Sequence, residues 1–78
     1  MTTYNGHPSW EHWNVSLWLG NDEGLYRLAQ DVLSRHRSAR DAAADLITQL
    51  EDAGITQTPD GAAYTTATVA HALRFLRD

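Results

Sequence analysis

The chain has no cysteine and no lysine, two prolines and one methionine. Without cysteine there is no disulfide framework, no thiolate metal site and no thiol nucleophile. Its six bases are all arginines and face ten acids, giving the 78 residues a net charge of −4. A bulk electrostatic hold on nucleic acid is therefore not expected. No apolar run approaches the roughly 20 residues that a membrane helix needs. The opening MTTYNGHPSW has neither a basic n-region nor an apolar stretch, so no signal peptide is expected. These absences predict a cytoplasmic protein without a membrane partner.

Catalytic signatures are missing as well. Ser9, Ser16, Ser34 and Ser38 read as cap or helix residues without a strand-to-helix elbow. The five glycines are scattered and form no phosphate-cradling loop. His7 and His12 flank Glu11, but the run is one residue longer than the H-x-x-E-H metal pattern. His7 also precedes the helix, so the two imidazoles are not expected to share a face. The expectation is no enzyme, no cofactor and no metal.

What is present is concentrated between Ser9 and Leu28. All three tryptophans, Trp10, Trp13 and Trp18, lie there. Trp10, Trp13 and Leu17 fall at i, i+3 and i+7, one face of a helix. Ser9 is placed as its N-cap and Gly20 as the glycine that ends it. Asn21 or Asp22 caps a second helix, with Glu23 at its positive end. Leu25, Leu28, Ala29, Val32, Leu33 and His36 give that helix one apolar stripe. Gly24 in its first turn suggests close packing by Trp13 or Trp18.

Ser38 with Asp41 three residues on reads as the capped start of a third helix. Its stripe is Ala42, Ala43, Leu46, Ile47, Leu50 and Ala53, and Gly54 stops it. The stretch 55–65 changes character: Thr, Ile and Tyr favour extended backbone, and Pro59-Asp60-Gly61 is a turn. It predicts a short two-stranded hairpin. Thr65 or Thr66 then caps a fourth helix that turns Val69, Ala72, Leu73 and Leu76 inward. Residues 1–8 read as a lead-in that packs Tyr4 on the tryptophans. The expected fold is mainly α (α+β): one compact, monomeric domain of four helices around a Trp-rich core, with the tryptophan stretch against helices 2 and 3.

The run Asn5-Gly6 through Leu19, followed by Asn21-Asp22-Glu23-Gly24-Leu25-Tyr26, resembles a family of small accessory proteins carried by phages and plasmids. His12 stands where that family usually has Thr. In size and sequence style the chain also resembles anti-CRISPR proteins that act on type I surveillance complexes. That resemblance implies an inhibitor in the host cytoplasm that binds a CRISPR effector and blocks DNA engagement. The acidic positions Asp41, Asp45, Glu51 and Asp52 are the candidate contact face, either phosphate-imitating or simply a solvated helix face. Asp22 and Glu23 have a competing duty as caps.

A second resemblance covers Ala44 through Leu73, with Gly54-Ile55, Thr58-Pro59-Asp60-Gly61, Tyr64-Thr65 and Thr68-Val69. It is similar to the helix–hairpin–helix segment of large serine recombinases, which implies a DNA-binding accessory protein as the alternative. Here the hairpin carries Asp60 and no base, unlike that family. Arg35, Arg37, Arg40 and Tyr64 are the secondary candidates. For the three arginines, helix-end complementarity competes with contact to phosphate or an acidic partner.

Overall fold

The computed structural model describes residues 6–77; Tyr4 and its expected packing lie outside them. Four helices follow one another: α1 Trp10–Asn21, α2 Glu23–Arg35, α3 Ala39–Asp52 and α4 Thr66–Arg77. The Cα radius of gyration is 11.4 Å, close to the about 11.5 Å expected of one compact unit of this length.

The caps explain where the helices start. Ser9 accepts from the His12 N–H at 3.2 Å, and Ser38 from the Asp41 N–H at 3.0 Å. Thr65 and Thr68 cap reciprocally: each side-chain oxygen accepts from the other's backbone N–H. The α1–α2 junction differs from expectation. Gly20 lies inside α1, and the break falls on Asp22 alone. Its N–H closes α1 on the Trp18 carbonyl, while its carboxylate caps α2 at the Leu25 N–H. A side chain that satisfies an orphan N–H ends one helix and begins the next without any left-handed glycine. Gly24 does not pack on a tryptophan either; a Cβ there would meet only the Asp22 carboxylate, at 3.4 Å.

Gly54, at φ 77°, supplies the expected stop after α3. At the other end of α2, the Arg77 guanidinium donates to the carbonyls of Arg37 and His36 at 2.6 and 3.0 Å. It caps the chain just after α2 from the last turn of α4.

The core corrects the sequence reading of α1. Val15 and Leu19 are fully buried, whereas Trp10 is 37% and Leu17 36% exposed. Trp13 and Trp18 are half-buried. Trp10 and Leu17 face away from the interior, and Trp13 is only partly covered. Because α1 is apolar on nearly every side, periodicity cannot choose its inner face. The core is aliphatic: Leu19, Val32, Leu46, Leu50, Val69 and Leu73, with alanines between α3 and α4. Small side chains at Ala42, Ala43, Ala70 and Ala72 let those helices approach closely. Ala53, expected in the α3 stripe, is exposed. Among the described residues α1 packs on α4 and α2 and makes no close approach to α3. The expected seat against helix 3 is thus taken by α4.

The expected hairpin is not formed as strands. The stretch 55–65 holds one antiparallel bridge, Gln57 with Ala63. Thr58 N–H donates to Ala62 O at 2.8 Å, and Tyr64 N–H to Thr56 O at 3.1 Å. The turn itself is as expected, with Gly61 at φ 98°. The arms are too short to continue the ladder: Gly54 ends one, and the Thr65 cap of α4 ends the other.

No described helix is long and apolar enough to cross a membrane.

Candidate functional site

The loop 55–65 is pinned to α1 by a polar network. Asn14, 1% exposed, donates from Nδ2 to Asp60 Oδ2 at 2.9 Å and accepts from Thr58 Oγ1 at 2.6 Å. Thr58 in turn accepts from the Ala62 N–H at 3.0 Å. Trp18 Nε1 donates to the same Asp60 oxygen at 2.9 Å. The hydrogen bonds from Asn14, then from Trp18, hold the Asp60 carboxyl below its ordinary value against a smaller opposing effect of burial. Asp60 is therefore a carboxylate that fixes the indole of Trp18 in one orientation.

That indole forms one wall of a groove of about 510 Å³. Leu25 and Leu28 of α2 line it, with Ile55, Pro59 and Tyr64 from the loop. Ile55 is 41% exposed at its edge. Tyr64 is buried, and burial, then the Asp22 carboxylate, raise its phenol above the ordinary value. It remains neutral and acts as an apolar wall. Asp22 lines the same groove.

A second cavity of about 420 Å³ opens between α1, α3 and α4. His12, Arg40, His71 and Arg74 converge on it. His7 Nδ1 lies 2.8 Å from His71 Nε2, and the His12 and His71 rings meet edge-on with centroids 5.1 Å apart. Burial, then His12, His7 and Arg74, push the His71 imidazole below its ordinary value. Among the described residues no group of three His, Cys, Asp or Glu could hold a metal ion.

The four acidic candidates differ in their surroundings. Asp41, Glu51 and Asp52 are exposed and in no ion pair among the described residues. Asp45 is turned toward α2. It accepts from Gln49 at 3.0 Å, lies 2.8 Å from His36 Nε2 and 3.4 Å from Arg35. Hydrogen bonds from Gln49, then His36, lower its carboxyl pKa. Asp45 thus has the structural duty that its sequence position did not suggest. The arginine cluster also divides. Arg35 pairs with Asp31 and Asp45, Arg37 is exposed, and Arg40 joins the histidine cavity. Tyr64 belongs to the groove.

Sequence reasoning missed Asn14, Thr58 and His71 as members of these sites, and did not join Arg74 to the histidines. His71 and Arg74 stand at i and i+3 on one side of α4, a signal that periodicity carried. Nothing in the sequence marks Asn14 as buried.

No curated protein and no solved structure matches the chain. A family model does, over residues 1–73, and the chain belongs to that family, DUF7249, a family of unknown function.

Proposed function

We propose that the chain is a non-catalytic interaction protein that grips a protein partner through the groove between Trp18 and Tyr64. The carrying observation is that groove: an apolar slot whose Trp18 wall is locked by Asp60, with carboxylates at Asp22 and Asp60 beside it. Its occupant is an apolar side chain on a basic surface. The slot takes the apolar anchor, and the carboxylates complement the surrounding charge. Glu51 and Asp52 lie at the end of the helix that leads into Ile55.

A host type I CRISPR effector, with its basic DNA channel, is the partner this reading names. The support is the resemblance of the first third of the chain to mobile-element accessory proteins, together with the net charge of −4. Occupying that channel prevents DNA engagement, the action of a mobile-element inhibitor in the host cytoplasm. The carboxylate of Asp60 at the loop tip weighs against direct DNA contact by the recombinase-like segment.

The test is a gel shift of target DNA with a purified type I effector, with and without the protein. Loss of the shifted band is expected. An unchanged effector–DNA complex refutes the inhibitor reading, and a shift of naked duplex by the protein alone favours a DNA-binding accessory. Salt-sensitive binding would mark that second outcome.

A further inference from the structure

We propose that the cavity between α1, α3 and α4 is an anion site that takes a phosphate group, free or as a monoester, between Arg40 and Arg74.

The argument begins with where the arginines go. Arg27 and Arg35 pair with carboxylates, and Arg77 caps backbone carbonyls. Arg37 is exposed just after α2, and Arg40 and Arg74 likewise do neither among the described residues. They come from different helices, α3 and α4, and converge on one cavity. In a chain with ten acids against six bases, no carboxylate among the described residues lines that cavity. His12 and His71 complete its polar wall, and the Thr66 hydroxyl stands in the first turn of α4 beside them.

The donor set matches a tetrahedral oxyanion. Guanidinium groups present paired N–H donors suited to phosphate oxygens. Imidazoles add donors, and a full charge once protonated. His71 is held in place by His7 at 2.8 Å and by the Phe75 ring at 5.0 Å. The charged or titratable groups facing it are His7, His12, Arg74 and, across the cavity, Arg40. Every one is cationic or becomes so on protonation. An anion seated among them offsets their mutual repulsion and raises the His71 pKa.

The experiment is an NMR titration of the histidine ring and arginine side-chain signals with inorganic phosphate. Ionic strength is held constant with sodium chloride. A parallel titration uses adenosine 5′-monophosphate. Saturable shifts at His12, His71 and Arg74 are expected, with a higher His71 pKa in the phosphate-loaded protein. Tighter binding of the nucleotide identifies an ester as the source, and equal binding identifies the free ion. Arg40→Gln and Arg74→Gln, made singly and together, are each expected to weaken binding by about tenfold. Both side chains are exposed, so melting temperature should hold; the single variants keep the comparison intact should the double variant fail to fold. Shifts that chloride alone reproduces, or equal affinity in the folded variants, overturn the proposal.

Discussion

Two sides of α1 carry opposite chemistry. On the Trp18 side the groove is mostly apolar, and the charged groups beside it are the carboxylates of Asp22 and Asp60. On the His12 side two histidines and two arginines line the cavity, with no carboxylate among the described residues. The two residues stand less than two helical turns apart. An aromatic helix in a chain this small is thus not a core element buried all round. Its inner stripe, Val15 and Leu19, holds the fold, and its flanks are shared out between two surfaces. That division explains why three tryptophans coexist with an aliphatic core.

The largest effect comes from removing what both sides depend on. Leu19→Ala deletes a fully buried side chain and should cost about 2–5 kcal/mol in urea unfolding. Trp10→Ala, on the outward face, should stay within about 1 kcal/mol. If the two costs were reversed, the inner face of α1 would be misassigned.

A smaller effect should separate the sides. Asn14→Ala leaves the buried Thr58 hydroxyl without its acceptor and Asp60 held by Trp18 alone, at about 1–3 kcal/mol. Amide exchange should quicken at Thr58 and Ala62, while the His71 ring signals stay where they are. Equal disturbance of both would mean that the groove and the cavity form one cooperative unit.

Acid should also distinguish them. The folded protein holds His71 below the ordinary histidine value of about 6.5. The unfolded chain therefore binds the proton more readily, and stability falls as pH drops below about 6.5. Asp60 is also lowered, but from an ordinary carboxylate value of 3.8. Its contribution is present above that value and is lost only as pH falls through the lower folded value. A melting-temperature profile should fall in two stages. His71→Gln should remove the upper stage, and Asp60→Asn should shrink the lower, leaving the part that Asp45 contributes.

Much of the scaffold was legible in the sequence, because caps are local chemistry. Ser9, Ser38 and Thr65, the Gly54 stop and the turn at Gly61 each stand where their side chain or backbone freedom dictates. The stripes of α2, α3 and α4 were legible because each is apolar on one side only. The seating of α1 was not, since its apolar residues encircle it. Nor was the hairpin, because extended propensity in 55–65 is overridden by a cap and a stop that leave no room for a ladder. The groove and the cavity join residues more than 40 positions apart, Asn14 with Asp60 and His7 with His71. A single sequence carries no local trace of such pairs.

The weakest expected effect concerns charge around the groove. Asp45→Arg would break contacts to His36 and Gln49 and confuse folding with binding. Glu51→Arg with Asp52→Arg changes only exposed carboxylates. It should slow association with a basic partner severalfold at low salt and converge on the parent at high salt. Unchanged association rates would remove this end of α3 from the contact surface.

The most direct test of the groove as the binding surface is the affinity of a purified type I CRISPR effector for the parent protein and for Ile55→Arg. Ile55 is 41% exposed at the groove edge, so the variant should keep the parent melting temperature. The account predicts that the parent binds and that the folded variant binds at least about tenfold more weakly, as expected for an anchor contact. Equal affinity of the two, or no binding by the parent, would contradict it.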